Sequence, residues 1–281
     1  MSVGARPAGR VITARWHRWL WSLGGLAIVG VLLFPVLWML TASLQPGASS
    51  ITVEVIPPAP SLAGYRAAYA TMIGSIASSL IIALGSVLLC LVVAIPAGFA
   101  LSRLRGRVVD ASLLVILLAQ MVPTITLMNA LYAVFNILGL LNTYTALILA
   151  NGTSAIPFAV IVLRSFMLSL EEEILEAATI DGAGTARRLV QIVVPLSRNA
   201  IITAGVFAFI FAWGDLLIGL TLTTRSEIIP AVLRIYRIIS EPQVDWSTVM
   251  AAAFLTALPA IVLLIASQRY IKAGIGAGAG R

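Results

Sequence analysis

Charge is the property that this sequence lacks most. Only 10% of its 281 residues are Asp, Glu, Lys or Arg, whereas soluble globular domains carry about 25%. Hydrophobic residues make up 60% of the chain, and its mean hydropathy is +1.04. A deficit of charge over the whole length excludes a soluble globular domain and indicates that lipid surrounds most of the side chains.

Residues that build disulfides, metal sites and ATP sites are also scarce. The chain has one cysteine, Cys90, and one histidine, so it forms no internal disulfide and we expect no protein metal site. Its only lysine is Lys272, and it has no Gly-x-x-x-x-Gly-Lys-Ser/Thr loop. We therefore expect no bound cofactor, no catalytic residues and no ATP hydrolysis by this chain.

Six apolar segments are long enough to cross a bilayer, which takes about 20 residues. The first follows several arginines but is too long for a signal peptide, so we interpret it as a retained anchor. The sequence thus predicts an all-α integral membrane protein with six transmembrane helices. The predicted spans are residues 19–44, 76–101, 111–135, 144–167, 200–222 and 249–270.

The basic residues divide unequally between the two sets of loops. The net charge is +7, and 14 of the 18 basic residues lie in the set that contains both termini. This distribution at the edges of apolar runs indicates membrane orientation rather than nucleic-acid binding. Because Lys and Arg accumulate on the cytoplasmic side, we expect both termini to be cytoplasmic. The other set of loops holds only Arg66, Arg225, Arg234 and Arg237.

Acidic residues gather in the longest of the predicted cytoplasmic segments, residues 169–199, which we call the elbow. Five of the 11 acidic residues of the chain fall between positions 171 and 181. Ser169 and Glu172 have the spacing of a capping box and predict a short helix over about 170–180.

The second half of the elbow begins with glycine. Gly182, after Asp181, is expected to close the first helix in the left-handed conformation. Thr185 is expected to cap a second short helix, which Pro195 stops or kinks. The sequence therefore predicts two short helices joined by a tight bend.

Apolar side chains of the elbow have no soluble domain of this chain to cover them; they are Ile174, Leu175, Ile180 and Leu189. A loop resting on the headgroups is the alternative, but its acidic residues would be repelled by an anionic inner leaflet. Docking to a cytoplasmic protein explains the pattern better.

The elbow resembles a known motif. Glu176-Ala177-Ala178, then Gly182, and after nine further residues Ile192-x-Val194-Pro195 are similar to the EAA motif. That motif marks the membrane subunits of binding-protein-dependent ABC importers.

The resemblance covers essentially the whole chain and is to the maltose/carbohydrate type of permease. Three positions depart from the pattern of that type. Gln45 stands where Lys is frequent, and Gly214 stands where Asn is usual. Asn199 stands where Pro usually follows the Ser-Arg pair. The similar stretches are residues 34–46, 98–107, 211–224 and 244–281.

The resemblance implies a non-catalytic subunit of an importer in a bacterial or archaeal cytoplasmic membrane. Its partners would be a second, different permease chain, two cytoplasmic ATPases that bind ATP and Mg, and an external solute-binding protein. Glu176 would make an ionic contact with an ATPase, and Gly182 would set the angle of the elbow. The residues that the motif assigns to ATPase coupling are Glu176, Ala177, Ala178, Asp181, Gly182 and Pro195.

The same resemblance implies a domain organisation. Residues 1–18 would form a cytoplasmic N-terminal segment, 19–75 the first transmembrane helix and outer loop, 76–270 a five-helix permease core that contains the elbow, and 271–281 a cytoplasmic tail.

Polar side chains within the predicted spans are candidates for a substrate pathway. Neutral hydroxyls and amides suit the hydroxyl groups of sugars, but hydrogen bonds between helices explain any one of them equally well. The candidates are Thr126, Asn129, Tyr132, Asn151, Thr153, Ser154 and Asp215.

Three residues or segments near the predicted outer side have open alternatives. Asp215 is the only acidic residue that we place in a span, and a gating role or an ion pair with an outer arginine is favoured over proton coupling. Trp213 either anchors the helix at the interface or stacks on a sugar. Residues 229–239 have helical periodicity and either lie in the interface or contact an outer partner.

Other classes of function fit the sequence less well. A secondary transporter would be expected to carry ionisable residues at mid-membrane, and only Asp215 qualifies. A glycerol-phosphate or polyol importer shares the implied architecture. An anionic substrate should leave basic residues in the spans, and their absence from mid-span positions favours a neutral sugar.

Overall fold

The computed structural model describes residues 9–47, 54, 57–225 and 227–278, and within these ranges all regular structure is helical. The helices are α1 (Gly9–Ser43), α2 (Ala63–Arg103), α3 (Arg107–Met121), α4 (Thr124–Ile137), α5 (Tyr144–Leu168), α6 (Glu172–Ile180), α7 (Thr185–Arg188), a π-helical turn (Leu189–Val193), α8 (Val194–Leu196), α9 (Arg198–Gly214), α10 (Leu217–Leu222), α11 (Ala231–Ile239) and α12 (Trp246–Gly278).

Four helices are long and apolar enough to cross a membrane, namely α2, α5 and the apolar parts of α1 and α12. Two bent helix pairs would raise the number to six if each pair is one span. The four continuous helices coincide with the first, second, fourth and last predicted spans.

The third predicted span, 111–135, is not one helix. It consists of α3 and α4, which meet at an angle of 93°. Pro123 precedes α4, and Val122 before it has the extended backbone (φ −73°, ψ 118°) that a following proline favours. Pro123 therefore divides the predicted span into two helices.

The fifth predicted span, 200–222, is also interrupted. Helix α9 ends at Gly214, and α10 begins three residues later. The Asp215 carboxylate accepts hydrogen bonds from the backbone N–H groups of Ile218, at 2.9 Å, and Gly219, at 3.3 Å. These bonds satisfy the first donors of α10, so the acidic side chain stabilises a second helix start rather than a continuous helix.

The chain divides into two compact units, and the larger contains Tyr69–Pro242 and Leu255–Arg281. In this unit α5 packs along α9 and α2 through small residues. A Cβ atom on Gly98 of α2 would lie 3.1 Å from Leu163 Cβ and 3.2 Å from the Arg164 backbone nitrogen of α5. Glycine at this crossing therefore sets how closely α2 and α5 approach.

The smaller unit comprises Met1–Ala68 and Gln243–Phe254. The Ser43 hydroxyl donates to the Tyr65 hydroxyl at 2.8 Å. The Tyr65 ring packs edge-on against Phe254, with centroids 6.2 Å apart. These contacts join the end of α1, the start of α2 and the start of α12 within this unit.

Asp245 caps the beginning of α12. Partial burial raises its pKa, but hydrogen bonds from Thr248 and Ser247 outweigh that effect and hold the pKa below its usual value. The ionised carboxylate is therefore the form that stabilises the helix start.

Replacement of Gly98 by valine should disrupt the crossing of α2 and α5, because its methyl groups would overlap backbone atoms of α5. Overpacking of this kind costs about 1–3 kcal/mol, so the thermal midpoint of the purified protein should fall. Gly74→Val is the matched control, since it lies on the same helix and a Cβ there meets no atom within 4 Å. Equal midpoints for the two variants would contradict this packing.

Candidate functional site

The first arm of the elbow is helix α6, and it ends as the sequence predicts. Gly182 has a φ of +77°, which is the left-handed conformation that glycine adopts without strain. The Ala183 N–H donates to the Ala178 carbonyl at 2.9 Å, and the Gly182 N–H to the Thr179 carbonyl at 3.0 Å. This pair of bonds is the Schellman motif, so the prediction of a helix that closes at Asp181–Gly182 is confirmed.

The start of this arm differs from the prediction. The Ser169 hydroxyl donates to the Phe166 carbonyl at 2.7 Å and therefore belongs to the end of α5. Helix α6 begins at Glu172, and its N-cap residue, Glu171, makes no side-chain capping bond. The predicted capping box is wrong, because it requires Ser169 as the N-cap residue, whereas the N-cap of α6 lies two residues later at Glu171. Glu172 and Glu173 do lie in the first turn, where the helix dipole favours them.

The second arm consists of α7, the π-helical turn and α8, and it meets α9 at an angle of 81°. Gly184 occupies the N-cap position of α7, and Thr185 is its first residue. The predicted cap by Thr185 is therefore wrong. Pro195 lies in α8, which continues directly from the π-helical turn, and the bend follows at Ser197.

Helix α6 presents two different faces. One face, formed by Glu172, Leu175, Glu176 and Thr179, lines a cavity against the end of α2. The opposite side carries Ile180, which is 87% exposed. Ile174 and Ala177 are also exposed. An exposed apolar surface on a helix with an acidic first turn is typical of a contact site for another protein.

The cavity, which we call the elbow cavity, has a volume of about 480 Å³. The side chains of Arg103 from α2 and Arg188 from α7 both line it. Arg103 donates from Nη2 to the Met167 carbonyl at 2.7 Å, and Arg188 from Nη1 to the Thr179 hydroxyl at 2.8 Å. These bonds fix both guanidinium groups and connect α2, α5, α6 and α7.

The polar pathway candidates fall into two groups. Asn151, Thr153 and Ser154 on α5 each donate to the backbone carbonyl four residues earlier, which satisfies them within their own helix. On α4, Thr126 and Asn129 are exposed and their side chains make no hydrogen bond to the described part of the chain. The candidates on α4 therefore lie on an exposed polar face, whereas the candidates on α5 are satisfied within their own helix.

Tyr132 of the same α4 face lies in a second cavity of about 420 Å³ with Asn136, Asn142, Thr224 and Arg225. Asn142 has a φ of 61°. Its Nδ2 donates to the Thr224 hydroxyl at 2.9 Å, and its Oδ1 accepts from the Arg225 backbone N–H at 2.7 Å. This polar pocket lies at the end of α5 opposite the elbow.

Three of these residues, Asn142, Thr224 and Arg225, were not predicted. They are far apart in sequence, and only the closure of α4 and α10 around Asn142 brings them together. The one sequence signal was an asparagine after a Gly-Leu-Leu turn, since asparagine tolerates the left-handed conformation better than most residues.

The remaining residues near this end have structural contacts. Trp213 is buried, stacks on Phe209 with ring centroids 5.3 Å apart, and donates from Nε1 to the Thr256 carbonyl at 3.1 Å. It is neither an interfacial anchor nor open to a sugar in this structure. Asp215 makes the local helix cap described above and no ion pair with a described residue.

Helix α11 confirms the predicted helix within residues 229–239 but does not lie free in the interface. The Ala231 N–H donates to the Ser79 hydroxyl at 2.8 Å, and Arg234 Nε to the Ser75 hydroxyl at 3.2 Å. Leu233 is fully buried. These contacts dock α11 against the first half of α2, with Tyr236 on the exposed side.

Comparisons with known proteins agree on one family. The family model described as binding-protein-dependent transport system inner membrane component matches residues 94–276. The trehalose transport system permease protein SugB of Mycobacterium tuberculosis is 32% identical over 92% of this chain and 96% of its own length. The sulfoquinovosyl glycerol transport system permease protein SmoH of Agrobacterium fabrum is 31% identical over 88% of each chain.

The fold has a solved counterpart as well. A chain in the crystal structure of a bacterial ABC transporter involved in the import of the acidic polysaccharide alginate superposes with a TM-score of 0.78. The alignment covers 96% of this chain and all of the other, at 20% identity. With the match of the family model to most of the chain, the protein belongs to the family of inner membrane components of binding-protein-dependent transport systems.

Proposed function

We propose that this chain is one transmembrane subunit of an ATP-driven importer and forms half of a translocation pathway for a carbohydrate. The observation that carries the proposal is the elbow, in which the EAA-like residues build two short helices joined by the left-handed turn at Gly182. A subunit that does not hydrolyse ATP needs such a surface, because a conformational change of the ATPase must be transmitted to it. The partners are a second permease chain, two cytoplasmic ATPases that bind ATP and Mg, and an external binding protein that delivers the substrate.

The coupling surface is the exposed side of the elbow. Ile174, Ala177 and Ile180 offer an apolar patch that fits a groove on an ATPase. Ala178, Asp181 and Gly182 form the bend beside it, and Pro195 lies in the arm that leads into α9. Glu176 is exposed at the rim of the elbow cavity, where its carboxylate is accessible for an ionic contact.

The substrate class follows from two considerations. The family relatives named above are permeases for trehalose and for sulfoquinovosyl glycerol, which both contain a sugar. The polar pocket around Tyr132 and Asn142 is lined by residues with a phenol, two amides and a hydroxyl, and by Arg225. Such groups suit a sugar ring with several hydroxyl groups. A phosphorylated glycerol or a polyol is the alternative substrate. Arg225 would bind the phosphate of the phosphorylated glycerol.

The chain would cross the membrane six times with both termini in the cytoplasm. In this arrangement α3 with α4 forms the third crossing, and α9 with α10 forms the fifth. The distribution of basic residues supports the orientation, and the elbow is then cytoplasmic.

Uptake by cells that carry the complete transporter should continue when a protonophore dissipates the proton gradient while ATP is maintained, because the proposed energy source is ATP. Accumulation of radiolabelled sugar measures this. Depletion of ATP with the gradient intact is the control and should stop uptake. Immediate loss of uptake on addition of the protonophore would favour a secondary transporter.

Gly182→Val should impair coupling, because a β-branched residue is strained at a φ of +77°. A cost of about 1–2 kcal/mol corresponds to roughly five- to thirtyfold in an equilibrium, and sugar uptake should fall by about that factor. Immunoblots of membranes should show unchanged insertion.

Gly184→Val is the matched control for this change. Gly184 has a φ of −66°, and a Cβ at either glycine meets no atom within 4 Å. Gly184→Val should therefore retain most of the uptake. An equal loss in the two variants would show that bulk in the elbow, and not the left-handed turn, limits coupling.

Single cysteines test the orientation. Arg107→Cys and Arg187→Cys should react with a membrane-impermeant maleimide only from the cytoplasmic side, and Arg225→Cys only from the outside. All three positions are exposed, whereas the natural Cys90 is buried and should give little background. Labelling of Arg187→Cys in intact cells would contradict the proposed topology.

A further inference from the structure

The elbow cavity lies on the side of α6 away from the proposed apolar ATPase contact at Ile174, Ala177 and Ile180, and Glu176 lies at its rim. Its volume of about 480 Å³ falls within the range of roughly 300–1,000 Å³ that is typical of small-ligand sites. Much of its wall is apolar and includes Phe99, Leu104, Leu175 and Leu189. Phe99 lies in the last turns of α2, and Leu104 directly follows this helix, which is apolar enough to span a membrane. In the proposed topology the cavity would therefore lie where this span leaves the lipid.

The polar part of the cavity wall is balanced in charge. Arg103 and Arg188 contribute two positive charges, and Glu172 and Glu176 contribute two negative charges. Within the described part of the chain no ion pair joins any two of these four side chains. Positive and negative groups therefore border the same space without neutralising one another.

Both guanidinium groups retain hydrogen-bonding capacity. Arg103 donates from Nη2 to the Met167 carbonyl, and Arg188 donates from Nη1 to the Thr179 hydroxyl and from Nη2 to the Thr185 hydroxyl. The Nε–H groups of Arg103 and Arg188 are buried without an acceptor among the described residues. Buried donors in native proteins almost always have a partner, so the contacts of the described residues leave neither guanidinium group fully satisfied.

We propose that the elbow cavity binds the headgroup of a zwitterionic phospholipid of the ethanolamine type. Its phosphate would contact Arg103 and Arg188, its ammonium group Glu172, and its glycerol and upper acyl carbons the apolar wall. An anionic lipid would match the arginines but would place negative charge next to two carboxylates. A sugar or a free ion would leave the apolar wall without a partner.

Native mass spectrometry of the purified full-length chain tests this assignment. After delipidation, the protein receives equal amounts of phosphatidylethanolamine and phosphatidylglycerol, and it should retain the former preferentially. Arg188→Gln should lower retention of phosphatidylethanolamine on the order of tenfold, the effect of one charge-assisted hydrogen bond. Glu172→Gln should reduce the preference for phosphatidylethanolamine over phosphatidylglycerol, a change of headgroup selectivity that a loss of packing would not produce.

Two neighbouring residues supply matched controls. Arg187→Gln and Glu173→Gln remove the same charges from exposed positions that do not line the cavity, and both should retain the lipid as the unmodified protein does. If Arg188→Gln fails to elute as a single species, the selectivity of Glu172→Gln decides the matter.

Three results would overturn the proposal. Equal retention of the two lipids by the unmodified protein would remove the argument from charge. Equal loss in the control variants would show a nonspecific effect of net charge. Displacement of the lipid by soluble phosphoethanolamine at equal concentration would show that the site takes a free zwitterion and not a phospholipid.

Discussion

Lipid provides no hydrogen bonds to a backbone, so every helix of a membrane protein must satisfy its own N–H and C=O groups wherever it breaks. The interruptions of this chain follow that constraint. At the end of α9 the Asp215 carboxylate receives the first amides of α10. Between α3 and α4 the break falls at Pro123, which has no N–H to satisfy. Outside the spans, the bend at Gly182 closes α6 with two backbone bonds. A different local feature thus accommodates the backbone at each break, and the elbow and the polar pocket both depend on such breaks.

The short helix α6 contributes to two surfaces, because residues that follow one another along the helix face different directions. Leu175 and Thr179 face the elbow cavity and tie the helix to α7 and α2, whereas Ile174 and Ile180 face outward. In the proposed complex, movement of a docked ATPase would reach α2 through the packing and hydrogen bonds of α6. A lipid in the elbow cavity would fill the space behind α6 and stiffen that connection.

The sequence predicts much of this fold, and its errors have physical causes. Long apolar helices such as α2 and α5 are predictable because lipid imposes both their composition and their length. The end of α6 is predictable because only glycine adopts its conformation without strain. The sequence did not predict the breaks at Pro123 and Asp215, because hydropathy stays high across both. An aspartate in an apolar segment is, moreover, interpreted as a costly charge and not as a helix cap. Ser169 was assigned to the wrong helix because its spacing fits either neighbour.

The polar residues of the spans divide by a criterion that the sequence does not contain. Hydroxyl and amide groups on α5 return to the carbonyls of their own helix, so they would tolerate lipid or a neighbouring helix equally. Asn129 on α4 has no such bond among the described residues, and an amide exposed to hydrocarbon without a partner is costly. In the proposed complex, the face of α4 that runs from Thr126 to Tyr132 would therefore meet water, substrate or a polar partner. Because this face leads to the pocket at Asn142, a continuous polar track between this chain and the proposed second permease would leave none of these groups in lipid.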